Sequence, residues 1–304
     1  MSKKNDPEFA ALINIVSEEH NCPPKLVEKD YWIVFVLHEL VAKFGDLIIF
    51  KGGTSLSKAW DLIDRFSEDI DVLLDSTKCT SKTMMEKRRS ELREFLSSLA
   101  DLKYIPEKSV PSKNHGKLVF SYESVFDESE PTILVEAGFR GGPNPNEVRD
   151  ITSMIGESLI KLGKEPGKYK SFPIRVIHIK RTLIEKLFAL AGAYRGGNLH
   201  KKTRHYYDVY CVLKEVSLDQ FACTQEFAEL VEDITRVSKE HFDNVEDLDT
   251  LLNSHAFALS DEEYREVQKG YEADKELYFA GQPPFKPVYD AVCQGIEQIR
   301  KSTK

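Results

Sequence analysis

The alternation of hydrophobic and polar positions predicts helices at the start of the chain, strands in the middle and helices again at the end. Two early stretches, 7–19 and 25–44, carry apolar residues at helical spacing. Two short runs that follow, 48–50 and 69–73, are rich in side chains typical of strands. After residue 213 the pattern is helical and acidic. The sequence therefore predicts an α+β protein whose later part is mainly helical.

The same pattern predicts the remaining elements. Further strands are expected at 103–110, 116–124, 132–139 and 174–179, with residues 111–114 joining the first two of these. Further helices are expected at 55–62, 81–99, 225–240, 243–252, 261–279 and 288–301. Two more helices are expected to begin near Lys201 and at Thr182, where Glu185 would complete a capping box.

Asp69 and Asp71 stand two positions apart in a predicted strand. Successive side chains of a strand point to opposite faces, so both carboxylates should project from one face while Ile70 and Val72 enter the core. Their Cβ atoms should lie roughly 6–7 Å apart, from a rise of about 3.3 Å per residue. Like charges at that separation repel unless a cation bridges them, and carboxylate oxygens suit Mg²⁺. The pair therefore predicts a site for a divalent cation.

A glycine turn lies between the first two predicted strands. Lys51-Gly52-Gly53-Thr54 offers two residues that tolerate positive φ, followed by a hydroxyl. The helix expected at 55–62 would direct backbone N–H groups and the positive end of its dipole at a phosphate. A phosphate-binding turn next to metal-binding carboxylates is typical of nucleotidyl or phosphoryl transfer. The order of residues 51–58 differs from Gly-x-x-x-x-Gly-Lys-[Ser/Thr], which disfavours a P-loop NTPase.

These residues resemble the AbiEii/AbiGii toxin family of nucleotidyltransferases, within the DNA polymerase β-like superfamily. The resemblance rests on Gly-Gly-Thr at 52–54, RFSEDID at 65–71, EKLFAL at 185–190 and RHYYDVY at 204–210, with VEKDY at 27–31 as a weaker match. It implies a nucleotidyltransferase-like mixed β-sheet with flanking helices. The implied domains are an N-terminal α/β core at 1–172 and a mainly helical domain at 173–304 that completes the active-site cleft.

The resemblance also implies roles for particular residues. Asp69 and Asp71 would hold Mg²⁺ or Mn²⁺ on a nucleoside triphosphate, and Glu136, on a later strand, is the candidate third carboxylate. Nucleotide contacts are implied for Gly52, Gly53, Thr54, Ser55, Lys58, Arg65 and Lys186. Lys186 would also stabilise charge that develops in the transition state.

Three of these assignments have alternatives in the sequence itself. Glu136 interrupts an apolar run and is also compatible with an edge-strand glutamate that faces water. Arg65 is placed either to pair with Asp69 or to reach a nucleotide phosphate, and a surface arginine is the third interpretation. Without the family resemblance, Lys186 would be interpreted as a surface lysine of its helix.

Asp208 is the fourth catalytic candidate, and three roles fit it. It can orient Lys186, ligate a metal ion or accept a proton from the attacking hydroxyl. The structural alternative is a buried ion pair between Asp208 and Arg204, which stand four positions apart on one side of a helix.

Composition limits the possible classes of protein. With 41% hydrophobic and 30% charged residues the chain has the balance of a soluble globular protein, and its apolar runs are far too short to span a membrane. The first residues lack the apolar stretch of a signal peptide, and five scattered cysteines form no Cys-x-x-Cys pair. We expect a monomeric cytoplasmic protein with free thiols.

Charge is unevenly distributed along the chain. The net charge is −8, yet residues 161–205 carry 12 Lys and Arg against two Glu, whereas residues 215–304 carry 20 Asp and Glu against nine Lys and Arg. This division favours a basic face for a polyanion and a separate acidic face. The alternative is that the basic residues are scattered over several faces.

By resemblance the chain is expected to be the Mg²⁺-dependent toxin of a bacterial toxin–antitoxin or abortive-infection (phage-defence) system. It would transfer a nucleotide from an NTP to RNA, with the 3′ end of tRNA as the expected acceptor, and a cognate antitoxin would be its protein partner. Two alternatives remain at this point: the same fold acting on a protein acceptor, with nucleotide or phosphate as the transferred group, or a binding module without turnover.

Overall fold

The computed structural model describes residues 6–110, 115–126, 131–139, 141–240, 247–278 and 280–303. The chain divides into two compact units. The first unit comprises Met1–Ala59 and Phe66–Ile177, and the second comprises Trp60–Arg65 and His178–Lys304. The sequence predicted domains at 1–172 and 173–304. The structure divides the chain after Ile177 and assigns residues 60–65 to the second unit, which was not predicted.

The first unit contains the β-sheet. Its strands are β1 (Ile48–Lys51), β2 (Asp69–Leu74), β3 (Lys103–Tyr104), β4 (His115–Ser121), β5 (Thr132–Gly138), β6 (Asn146–Ile151) and β7 (Phe172–Ile177). Its helices are α1 (Pro7–His20), α2 (Pro24–Phe44), α3 (Gly52–Lys58), α4 (Lys82–Ser98) and α5 (Met154–Lys161). The prediction of a mixed sheet with flanking helices is confirmed.

The seven strands lie in the order β3-β4-β5-β2-β1-β7-β6. The β2–β5 and β1–β7 pairs are parallel, and the other pairs are antiparallel. β2 and β1 therefore lie at the centre of the sheet, where strands on both sides fix their position. The core around them is apolar, because Ile70 and Val72 of β2 and Val135 of β5 are fully buried.

The long helix α2 packs against the central strands. It contacts β1, β2 and β5 as well as α1, α4 and α5. Its apolar residues recur at helical spacing, and Val27, Leu37 and Leu40 have essentially no exposed surface. Burial of this broad stripe fixes α2 on the sheet that carries the aspartate pair.

In the part that the structure describes, the regular elements of the second unit are helices, and its segment Trp60–Arg65 is not helical. Its helices are α6 (Ile179–Arg195), α7 (Arg204–Val212), α8 (Leu218–Phe221), α9 (Gln225–Lys239), α10 (Leu248–Leu252), α11 (Asp261–Glu272) and α12 (Phe285–Ser302). The central helix α7 packs against α6 and α12. None of the helices in the described ranges of either unit is both long and apolar enough to cross a membrane, and all five cysteines are free thiols.

Several predicted elements differ from the observed ones in the first unit. The strand expected at 103–110 is reduced to β3 because Pro106 begins a 3₁₀ turn. The mixed polarity of residues 147–172 predicted neither β6 nor α5. β6 is an edge strand in which only the last residue, Ile151, is buried. The helix expected at 55–62 is α3, which begins three residues earlier, at Gly52. The predicted connection 111–114 lies outside the described residues.

The second unit also differs from expectation at helix ends. The capping box predicted at Thr182 and Glu185 was wrong: α6 begins at Ile179, and the side chain of His178 accepts the hydrogen bond of the Lys180 N–H. The helix expected at 261–279 is α11, which ends at Glu272. The helix expected at 243–252 is present as α10 over its last five residues, and residues 243–246 lie outside the described ranges.

Candidate functional site

The two aspartates of the motif are the first and third residues of β2. Asp69 and Asp71 are both partly exposed, whereas Ile70 and Val72 between and beside them have no exposed surface. This alternation confirms that the carboxylates project from one face of the sheet. They lie at the start of the strand. Further along the same face, Leu73 is buried in a cluster with Ile49 and Ile177.

A row of charged residues crosses the sheet at Asp71. Asp71 is paired with Lys51 on β1 and with Glu136 on β5, and Glu136 is paired with Lys117 on β4. Residues directly opposite each other on neighbouring strands share a face. The Nζ of Lys117 lies 2.6 Å from Oε1 of Glu136. The hydrogen bond that the Lys117 ammonium donates to Glu136 raises the pKa of Lys117 against the effect of burial, and the charges of Asp69 and Asp71 raise it further.

The donor set on this face suits a hard cation, because it consists of carboxylate oxygens. In the described ranges no three His, Cys, Asp or Glu side chains are grouped to hold a metal ion. Asp69 and Asp71 therefore constitute the metal-binding candidate, as a pair. Glu136 lies beside Asp71 but is bonded to Lys117, so its role as a third ligand stays a prediction.

The glycine turn lies directly against the Asp71 side chain. Gly52 is the first residue of α3 and has φ +75°, which favours glycine. A Cβ added at Gly52 would lie 2.8 Å from Cγ of Asp71 and closer still to Oδ2. The carboxylate thus occupies the space that a side chain at residue 52 would need. Gly53 follows as the second residue of the helix and is partly exposed.

Thr54 and Ser55 were predicted to contact the nucleotide, but their hydroxyls bond within the protein. The Thr54 hydroxyl donates to the backbone carbonyl of Asp69 at 2.5 Å and lies 2.8 Å from the hydroxyl of Ser67. The Ser55 hydroxyl donates to the carbonyl of Gly52. Both side chains are buried, with 2% and 0% exposure. The Thr54 hydroxyl therefore connects α3 to β2, whereas the Ser55 hydroxyl bonds within α3.

We expect Thr54→Val to loosen this connection. The change keeps the side-chain shape but removes the donor to the Asp69 carbonyl, and a lost hydrogen bond of this kind costs about 1 kcal/mol. Urea unfolding of the variant measures the loss. Ser57→Ala is the control, since the Ser57 hydroxyl bonds only to the Thr54 carbonyl within the same helix. Equal stability of Thr54→Val and wild type would show that the hydroxyl does not hold α3 to β2.

Lys58 was also predicted to bind the nucleotide, and the structure places it in an ion pair. Its Nζ lies 2.5 Å from a carboxylate oxygen of Asp30, which is almost fully buried. The other oxygen of Asp30 accepts the Met154 N–H at 2.7 Å, and Glu157 lies 4.0 Å from the lysine. A buried carboxylate needs such a partner because burial of an unpaired charge is costly. Lys58 therefore neutralises Asp30 at the end of α3.

The second unit contains a buried cluster around Asp208 of α7. The Arg65 guanidinium donates two bonds to the Asp208 carboxylate, both at 2.8 Å, and Lys186 donates a third at 2.7 Å. Asp208 has no exposed surface. Arg65 thus pairs with Asp208, which lies in the same unit as the segment that carries Arg65. The predicted alternative of an Arg204–Asp208 pair was wrong, since Arg204 faces Asp274 at 3.6 Å.

The protonation states in this cluster limit what Asp208 can do. Burial alone would raise the pKa of Asp208, but the charges of Arg65 and Lys186 hold it well below its usual range. Burial lowers the pKa of His205, whose Nδ1 lies 3.4 Å from the Lys186 Nζ. A carboxylate with such a low pKa is a poor proton acceptor. Of the three roles left open, the geometry matches orientation of Lys186.

The basic stretch 161–205 is largely paired with carboxylates. At least seven of its 12 lysines and arginines lie within 4.0 Å of an acidic side chain: Lys161, Lys168, Arg175, Lys180, Arg181, Lys186 and Arg204. The stretch is also divided between the two units after Ile177. These contacts favour the alternative of scattered basic residues over a single basic face.

Comparison with known proteins identifies the family. The model of the family described as "Nucleotidyl transferase AbiEii toxin, Type IV TA system" matches residues 36–294. The chain belongs to the AbiEii nucleotidyltransferase toxin family. The motifs at 52–54, 65–71, 185–190 and 204–210 all lie inside the matched range. The chain is thus a nucleotidyltransferase toxin of a type IV toxin–antitoxin system, a class whose two-component organisation implies an antitoxin partner.

A solved structure supports the fold of this AbiEii toxin. MenT4, a nucleotidyltransferase toxin of Mycobacterium tuberculosis, matches with a TM-score of 0.56 and 16% identity, over 95% of this chain and 89% of that one. At this identity the likeness to MenT4 shows the fold. JHP933 of Helicobacter pylori matches with a TM-score of 0.48 and 16% identity, over 92% of this chain and 94% of that one. A search of curated proteins finds no match.

Sequence analysis missed several residues that shape the site of the AbiEii toxin. Ser67 stands inside the RFSEDID motif but was not singled out, although its hydroxyl contacts Thr54. Lys117 was missed because its relation to Glu136 depends on the pairing of β4 with β5. Asp30 lies in the VEKDY match but was not singled out, although it is almost fully buried and pairs with Lys58. Its helical spacing with the apolar residues Val27 and Val34 was the signal that could have identified it.

Proposed function

We propose that this AbiEii toxin transfers a nucleoside monophosphate from an NTP to the 3′ end of an RNA, with tRNA as the acceptor, in a Mg²⁺-dependent reaction. The observation that carries the proposal is the position of the Asp71 carboxylate. It lies on the same face as Asp69 and against the backbone of Gly52. A carboxylate pair beside a glycine turn matches the requirements of an NTP, which brings both phosphate and a divalent cation.

Asp69 and Asp71 would hold the metal ion. When bound, Mg²⁺ supplies positive charge that neutralises phosphate oxygens and favours departure of pyrophosphate. The chain's own contribution is positional: β2 is central in the sheet, and the Thr54 hydroxyl ties the start of α3 to the carbonyl of Asp69. Fixed positions matter here because catalysis of phosphoryl transfer rests mainly on positioning and electrostatic stabilisation.

In the proposed reaction the terminal ribose hydroxyl of the acceptor attacks the α-phosphorus of the NTP. The hydroxyl loses its proton to solvent as the new phosphodiester bond forms, the bond between the α-phosphorus and the oxygen that bridges it to the β-phosphorus breaks, and pyrophosphate leaves with the electron pair. The choice of RNA as acceptor rests on the family resemblance. The ion pairs along 161–205 remove much of the support that the basic stretch gave to it.

The test is incubation of purified protein with total RNA, Mg²⁺ and each α-³²P NTP in turn. We expect a labelled band of tRNA size with at least one NTP, and loss of labelling by at least about 100-fold in Asp71→Asn, which removes a carboxylate charge from the pair. The control is Asp101→Asn, an exposed aspartate of the same unit. RNase and protease digestion of the product identifies the acceptor. Label in protein would favour the alternative acceptor, and equal labelling by wild type and Asp71→Asn would rule out the mechanism.

A further inference from the structure

Glu136 and Lys117 form an ion pair that no predicted role explains. Lys117 was not among the candidate residues. Its ammonium bonds an oxygen of Glu136, which lies opposite Asp71 on the neighbouring strand. We propose that Lys117 withdraws Glu136 from metal coordination, so that the toxin binds a single divalent cation through Asp69 and Asp71, with the Lys117 ammonium as the second positive charge on that face. This inference rests on the proposed function, because it concerns the metal that the NTP brings.

The strand register places the pair at this position. Leu118 and Phe120 of β4 oppose Val135 and Ile133 of β5, and all four side chains are buried. A slip of one residue would turn these apolar side chains to the other face, so packing fixes the register. Lys117 is consequently held opposite Glu136. The register thus fixes the backbone position of Lys117, from which its half-exposed side chain reaches Glu136.

The charges on this face give the ammonium its effect. Asp69, Asp71 and Glu136 bring three carboxylates to neighbouring positions of β2 and β5, and Lys51 and Lys117 lie opposite Asp71 and Glu136 in the same row. The Nζ of Lys117 lies 2.6 Å from Oε1 of Glu136, so its charge directly offsets that of Glu136. The ammonium thus lowers the negative charge that a metal ion would meet beside Asp71.

An ammonium and a metal ion differ in what they require of a carboxylate. A metal ion binds oxygen lone pairs directly, whereas an ammonium donates hydrogen bonds to them and needs no coordination sphere. A lysine is also permanently attached, so its charge is present whether or not Mg²⁺ is bound.

The test is Mn²⁺ binding, measured by the loss of the free-Mn²⁺ electron paramagnetic resonance signal in the presence of a non-hydrolysable NTP analogue. We expect one equivalent of Mn²⁺ for wild type. Lys117→Met should either bind a second equivalent or bind the first at least about tenfold more tightly, because it removes the ammonium that bonds an oxygen of Glu136 next to Asp71. The double variant Lys117→Met/Glu136→Gln should return to wild-type binding.

Lys87→Met is the matched control, since Lys87 forms an exposed pair with Glu91 on α4, and it should bind Mn²⁺ like wild type. Two equivalents in wild type, or identical binding by wild type and Lys117→Met, would overturn the inference while leaving the proposed function intact. Failure of wild type to bind Mn²⁺ would overturn both. Circular dichroism of each variant separates a change in binding from a failure to fold.

Discussion

Replacement of Gly52 by alanine is expected to reduce nucleotidyl transfer by about 100-fold or more, the effect that a displacement of about 1 Å in a catalytic group can have. The added Cβ would overlap the Asp71 side chain, with Cγ at 2.8 Å and Cβ at 2.9 Å. Because β2 is central in the sheet, the strand cannot retreat, and the carboxylate has to rotate away. The α-³²P NTP labelling assay measures the loss.

Positive φ by itself strains any residue other than glycine, so a control for strain is needed. Gly163 has φ +66°, and an added Cβ there meets nothing within 4 Å. Gly163→Ala should therefore lose about 1 kcal/mol of stability, as Gly52→Ala does from strain, but it should keep its transferase activity. If Gly52→Ala were as active as Gly163→Ala, the contact between the glycine turn and Asp71 would have no part in the reaction.

Replacement of Asp208 by alanine is expected to cost about 3–5 kcal/mol of unfolding free energy, the range observed when one partner of a buried ion pair is removed. Asp208 has no exposed surface and accepts three hydrogen bonds from Arg65 and Lys186. Its loss would leave two cations in a buried environment without the carboxylate that they share. Urea unfolding followed by circular dichroism measures the change.

The control for Asp208→Ala is Asp274→Ala in the same unit. Asp274 and Arg204 form a pair at 3.6 Å in which both side chains are about one-third exposed. Removal of such a pair should cost less than about 1 kcal/mol. A similar cost for both variants would show that the Asp208 cluster does not stabilise the second unit. Activity alone cannot distinguish this structural role from a catalytic one.

The same cluster predicts the direction of a pH effect on stability. The pKa of Asp208 is lowered in the folded protein, so the carboxylate contributes stability that is fully present above its unfolded pKa, about 3.9. That contribution declines as pH falls below this value towards the lower folded pKa. The stability difference between wild type and Asp208→Asn should therefore shrink between pH 5 and pH 2. A difference that stays constant over this range would contradict the lowered pKa.

Much of the fold could be predicted from the sequence because its patterns are local. The apolar stripes of α1 and α2 predicted both helices to within about one residue, as expected for long periodic segments. The alternation around Asp69 and Asp71 predicted which side chains of β2 enter the core. β6 and α5 were missed because a short edge strand and a two-turn helix lack a long periodic pattern.

The roles of the charged residues were less predictable than the elements that carry them. Arg65, Lys58 and Lys186 were all assigned to the nucleotide from their sequence motifs. In the structure each is paired with a buried carboxylate, Asp208 or Asp30, that is more than 20 positions away in the chain. A sequence motif can indicate that a basic residue has a role, but it does not identify the acidic residue with which that side chain pairs. Packing decides the partner, because a buried carboxylate binds whichever cation the fold brings to it.

The sequence by itself determined that this protein carries a carboxylate pair on one strand face, a glycine turn next to it in the chain, and the motifs of the AbiEii nucleotidyltransferase toxins. These properties follow from residue spacing within single elements. Only the tertiary structure decided that Gly52 lies against Asp71 and that Lys117 neutralises Glu136. Both contacts depend on how separate segments of the chain meet, which is a matter of strand register and packing that no local pattern encodes.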